Sequence, residues 1–79
     1  MGYPRPRPTR LAEKLLQIRH SLGMSQSQIA KLVGVCEYSD ISKYELNKNE
    51  PPLAVLLGYS RAAQIPLEEI VDDDLALDL

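Results

Sequence analysis

The chain has 79 residues, 44% of them hydrophobic, with neither Trp nor Phe and a formal net charge of -2. That length allows one small core and leaves little room for an enclosed active site beside it. A lone cysteine, Cys36, excludes an internal disulfide, no Cys/His cluster has metal-site spacing, the start MGYPRPRPTR lacks the apolar run of a signal peptide, and the longest apolar run, Leu53 to Leu57, is far too short to span a bilayer.

Residues 1–9 read as an extended basic arm, because each Pro lacks a backbone donor and pushes its predecessor toward extended geometry. Leu11, Leu15, Ile18 and Leu22 then draw one apolar stripe at spacings of four, three and four, which predicts a first helix ended by Gly23 in a left-handed conformation. Ser25 and Gln28 form a capping-box signature, and Ile29, Leu32 and Val33 carry a short second helix to Gly34. A third helix starts between Glu37 and Ser39 and runs through Ile41, Tyr44 and Glu45 to about Leu46. Asn47 or Asn49 then takes positive φ in the loop NKNEPP. Leu53, Leu56, Leu57 and Ala63 continue a fourth helix after Pro51 and Pro52. Pro66 opens a fifth, with Glu68 and Glu69 in the first turn, where the helix dipole favours anions, and Ile70 and Val71 facing inward. The expectation is an all-α fold of five short helices over residues 10–71, followed by an acidic tail, 72–79. Only the first eight residues and the end DDDLALDL look poorly tied down.

The net charge hides a division. Residues 1–49 carry eight basic and four acidic side chains, whereas residues 50–79 carry one basic and seven acidic. Such asymmetry suits a polyanion-facing side opposite either a partner-facing or a simply solvated one. Two short helices joined at a glycine-containing corner are also the geometry that projects the second helix into a DNA major groove. Ala30 supplies the small side chain that a close crossing of that second helix with Ile41 of the third requires.

The run LGMSQSQIAKLVGV, the segment ISKYE and the stretch PPLAVLLGYSRAAQIPLEEIV together resemble the lambda-repressor-like, or XRE-type, helix-turn-helix family, from about Arg10 to Val71. The resemblance implies that helices two and three form the helix-turn-helix and that Gln26 sits on a phosphate while helping to orient helix three. It implies further that Tyr38, Ser39, Ser42 and Lys43 read base edges, and that the loop with Asn47, Lys48 and Asn49 grips the backbone. Arg19 and Glu45 are implied to form a partly buried ion pair that fixes the recognition helix. Arg5 and Arg7 suit phosphates or a narrow minor groove if the arm follows DNA, as arms do in some family members; otherwise the arm is a leader without a role.

The chain departs from the family pattern in having six residues, VCEYSD, between Gly34 and Ile41 instead of five, which displaces the first reading position by about one residue. Asp40 would face a polyanion there unless it accepts from a cytosine amino group or turns inward to cap the helix, and the cap is the favoured reading. Cys36 at the corner reads as a small hydrophobe rather than a redox switch. His20 has no catalytic companions, and Asp72, Asp73 and Asp74 do not converge on one point, so no catalytic role, cofactor or metal is expected.

The function expected is sequence-specific binding of double-stranded DNA by a small cytoplasmic, nucleoid-associated transcriptional regulator. It would act as a homodimer on a palindromic operator, with no membrane association. The alternative is a protein-interaction module, most concretely an antitoxin whose acidic end VDDDLALDL engages a toxin while the helix-turn-helix autoregulates.

Overall fold

In the computed structural model, residues 8–35 and 37–79 are described, and they form five helices and no strand: α1 (Leu11–Ser21), α2 (Gln26–Val33), α3 (Tyr38–Glu45), α4 (Leu53–Ala63) and α5 (Leu67–Val71). The expectations for Arg5, Arg7 and Cys36 lie outside the described residues.

Each junction has a local cause. Gly23 at φ 66° ends α1, and the Gly23 and Met24 amides donate back to the carbonyls of His20 and Arg19. A complete capping box opens α2: Ser25 Oγ accepts from the Gln28 amide at 3.1 Å and Gln28 Oε1 from the Ser25 amide at 2.8 Å. Such caps contribute about 0.5–2 kcal/mol, a large share of what holds an eight-residue helix. Gly34 closes α2 at φ 86°, where nothing crowds the missing Cβ, so the backbone angle and not the space requires glycine. Asn47 takes the left-handed position after α3, at φ 61°, and Gln64 does so after α4, at φ 57°. Gln64 is a poor residue for that conformation, and Ser60 holds the turn, its carbonyl accepting from the Ile65 amide and its hydroxyl donating to the Ile65 carbonyl at 2.6 Å.

Leu11, Leu15 and Ile18 of α1 meet Ile29, Ala30 and Val33 of α2, Ile41 and Tyr44 of α3, and Val55, Leu56, Tyr59, Ile65 and Ile70 from the second half in a single buried cluster. α2 packs on both α3 and α4. The α2–α4 approach depends on Gly58, since a Cβ there would lie 2.9 Å from both Cα and Cβ of Val33.

Three expectations need correcting. Asp40 does not cap α3. Glu37 occupies the N-cap position, the helix has no side-chain cap bond, and Ser39 Oγ donates to the Glu37 carboxylate at 3.3 Å. Asp40 instead stands one helical turn before Tyr44, whose hydroxyl is pushed up in pKa first by burial and then by the Asp40 charge.

Lys14, counted above with the basic half, adds nothing to its surface: it is fully buried. Its three ammonium protons match three carbonyls, those of Glu69 at 2.6 Å, Asp72 at 2.7 Å and Leu75 at 2.7 Å. The end DDDLALDL is therefore tied down. Asp73 reaches back to the start of α1, the Asp78 amide donates to Glu69 Oε1 at 3.0 Å, and Leu77 packs on the core.

Candidate nucleic-acid interface

Helix α3 turns Ile41 and Tyr44 into the core. With 3.6 residues per turn, Ser39 and Lys43, one turn apart, fall on the opposite face, and Ser42 flanks them. Tyr38, the first residue of the helix, is 60% exposed. It lines a shallow depression with Ser27, Ala30 and Lys31 of α2 and with Glu37. The face thus presents hydroxyl, phenol and ammonium groups, donors and acceptors suited to base edges. Asn47 and Lys48 lie exposed in the turn that follows.

The inner end of α3 is clamped. Arg19 Nε donates to Glu45 Oε2 at 2.7 Å and Arg19 Nη2 to Glu45 Oε1 at 3.1 Å, a two-point contact between side chains only 14% and 6% exposed. A third donor, Arg19 Nη1, reaches the Met24 carbonyl at 3.1 Å. Gln26 Nε2 completes the set on Glu45 Oε1 at 3.1 Å. One carboxylate from α3 therefore joins α1 and the first residue of α2, and Arg19 ties the α1–α2 turn to the same set. The Glu45 hydrogen bond raises the Arg19 pKa against the opposing effect of burial, so the guanidinium is charged at any working pH.

Gln26 thus gives one amide N–H to α3, leaving the second N–H of the same group and the open backbone amides at the start of α2 for an anion. Tyr59 of α4 is fully buried, and its hydroxyl has no partner among the described residues. Burial, reinforced by the Glu45 charge, pushes its pKa far up. Among the described residues there is no group of three His, Cys, Asp or Glu side chains able to hold a metal ion, and no helix is long and apolar enough to cross a membrane.

Two candidates were missed in the sequence. Lys31 is exposed on α2 beside Tyr38, and Leu46 is 62% exposed between Lys43 and Lys48. Leu46 had a legible signal, since its helical position carries it away from Ile41 and Tyr44, and an apolar group there suits a thymine methyl. Lys31 had a weaker one, being only a lysine on the polar side of an amphipathic helix.

A family model described as helix-turn-helix matches residues 15–70. Among solved structures the chain is similar to the P22 c2 repressor protein, crystallised in complex with synthetic operator 9T in the presence of Tl+. The two are 30% identical, the match covers 81% of this chain and 96% of that one, and the TM-score is 0.73. No curated protein matches the sequence. With the family model spanning well over half of the chain, and five helices that follow a repressor's DNA-binding fold, the chain belongs to the lambda-repressor-like helix-turn-helix family.

Proposed function

We propose that the protein is a sequence-specific, double-stranded DNA-binding transcriptional regulator that lays α3 in the major groove and binds a palindromic operator as a homodimer. The observation that carries this reading is the recognition face itself: Tyr38, Ser39, Ser42 and Lys43 look outward from a helix whose inner end is held by Glu45 to Arg19 and Gln26. A similar protein, the P22 c2 repressor, is seen in complex with an operator, which supports the same partner for this chain.

In this reading Ser39, Ser42 and Tyr38 donate to or accept from base edges, and Lys43 addresses guanine O6 or N7. Lys48, Asn47 and the start of α2 at Gln26 contact phosphates and set the register. Arg5 and Arg7 add backbone or minor-groove contacts from the arm of residues 1–9, while residues 10–71 form the DNA-binding domain.

Magnitudes support the homodimer. Eight helical residues span roughly 12 Å, only three to four base-pair steps at about 3.4 Å. Three or four base contacts, each at the lower end of about 1–3 kcal/mol, reach only the low end of the roughly 4–10 kcal/mol that separates specific from non-specific binding. Two symmetry-related half-sites double the readout without enlarging the domain.

Selection of bound fragments from random duplex DNA tests the reading. The expected result is a two-fold symmetric motif with half-site centres roughly 34 Å apart. Enrichment of asymmetric sites would overturn the homodimer, and no enrichment at all would overturn sequence-specific binding.

A further inference from the structure

Glu37 opens α3 without capping it. It occupies the N-cap position, yet the helix has no side-chain cap bond there. Its backbone is extended, at φ -133° and ψ 143°, so its side chain leaves the helical frame, in which it would lie one turn from Ile41 on the side of the core. The residue is exposed instead, and Ser39 Oγ donates to its Oε2 at 3.3 Å. Ser39 looks away from Ile41 and Tyr44, so this bond places the carboxylate on the same outward face. Tyr38 and Lys31 line one shallow depression with it. Its second oxygen, Oε1, is bonded to none of the described residues.

We propose that Glu37 is a specificity-determining residue that selects a cytosine in the major groove by accepting from its N4 amino group. The inference rests on the reading of α3 as the helix that enters that groove, where the N-terminal residues of a recognition helix meet base edges. A carboxylate only accepts, and the Ser39 hydroxyl has a single proton, which it gives to Glu37. The pair therefore presents acceptors alone. Guanine offers O6 and N7 and thymine offers O4, all of them acceptors that repel the pair. Adenine offers its N6 amino group but sets the N7 acceptor beside it. Cytosine presents its N4 amino group with no acceptor on its own edge, and so fits best.

A carboxylate this close to phosphates weakens binding to every duplex, and only a base with a donor offsets the loss, so Glu37 acts by exclusion as much as by attraction. The acids within α3 are placed otherwise. Glu45 is held by Arg19 and Gln26, and Asp40 stands one turn before Tyr44, whose hydroxyl feels its charge. Ser39 both orients the Glu37 carboxylate and turns its own remaining lone pairs to the same amino group.

The test is selection of bound fragments from random duplex DNA by the unsubstituted chain, by Glu37→Gln and by Glu37→Ala, with the melting temperature as the control of folding. Melting should hold in both variants, because the side chain is exposed and makes no cap bond. The unsubstituted chain should enrich cytosine at one position per half-site, by roughly 5- to 150-fold over the other bases, the range of one good side-chain match. Glu37→Gln, which both donates and accepts, should move that position to adenine and leave the others unchanged. Glu37→Ala should leave it without preference, and both variants should bind random duplex more tightly, since a negative charge is gone. A motif identical in all three proteins would overturn the inference and leave the DNA reading standing. So would a changed position at which the unsubstituted chain does not select cytosine, or a loss of preference at every position alike. The absence of any motif from the unsubstituted chain would overturn sequence-specific binding and the inference with it.

Discussion

Helix α1 carries two cations, Lys14 fully buried and Arg19 partly so, that are satisfied in opposite ways. Arg19, near its end, meets a carboxylate from α3 in a planar two-point contact, whereas Lys14, in its first half, meets only backbone carbonyls from α5 and the segment after it. A guanidinium fork matches a carboxylate in one orientation and so transmits direction. An ammonium on three carbonyls is a point charge that gathers chain ends. The first device sets the angle of a helix that must be presented to DNA, and the second fastens the C-terminal segment to the core.

The sharpest way to break that comparison is at Lys14. Lys14→Ala should cost about 3–5 kcal/mol, because it empties a fully buried volume and orphans three carbonyls together, with denaturant unfolding as the measurement. Hydrogen exchange should rise first at the amides of Leu75, bonded within the fastened segment, and Asp78, bonded from it to Glu69 of α5. A loss below about 1 kcal/mol would show that the carbonyls find other donors.

Glu45→Ala should cost less, about 2–4 kcal/mol, since Arg19 retains the Met24 carbonyl and some solvent access. Unlike Lys14→Ala, it should also lower DNA affinity at temperatures where the protein remains folded. Arg19→Met combined with Glu45→Leu should recover stability more than affinity, and additive losses in the double-mutant cycle would deny the coupling.

On the recognition face, Lys43→Ala should cost about 1–3 kcal/mol on the selected operator and relax preference at one position per half-site. Lys48→Ala should weaken all duplexes alike and reduce the salt slope by roughly 0.9. If Lys43→Ala weakens random and selected DNA equally, the register of the face is displaced.

Smaller effects sharpen the picture. Tyr59→Phe removes a buried hydroxyl that lacks a partner, so stability should hold or rise by up to about 1 kcal/mol, and a loss would reveal a partner for the hydroxyl. Asp73 has its pKa held down first by the Arg10 amide and then by the Thr9 amide. A depressed carboxylate contributes stability that is complete above the ordinary aspartate pKa of ~4 and is lost as pH falls through the lower folded value. Acid unfolding followed between pH ~5 and ~2 should therefore show a shallower acid limb in Asp73→Asn than in the unsubstituted chain.

Five helices were legible because each has a signal confined to a few neighbours: the stripe of Leu11, Leu15 and Ile18, the Ser25–Gln28 box, the glycines at 23 and 34, and the prolines before α4 and α5. The outward polar face of α3 was legible for a related reason, since the helical period separates Ser39 and Lys43 from Ile41 and Tyr44 once the family motif sets the frame. Asp40 misled because a carboxylate early in a helix carries the same local pattern whether or not it caps. What decides the cap is the path of the preceding chain, which here makes Glu37 the N-cap.

Sequence alone therefore determined where the helices begin and end, the family, and the outward polar set on α3, all of which depend on residues within one or two turns of each other. Tertiary structure alone decided the fate of Lys14, Asp73 and Gly58. The partners of Lys14 are main-chain carbonyls, which every residue possesses and no pattern marks, and Asp73 finds its amides more than sixty positions away. Gly58 sits inside a helix, where its sequence suggests only a weakness, and the reason for it appears when α2 brings the Val33 backbone to within a carbon atom's reach. A lysine counted as surface charge and a tail read as loose became one clasp, because burial removes water as the competing partner and leaves only what the fold brings near.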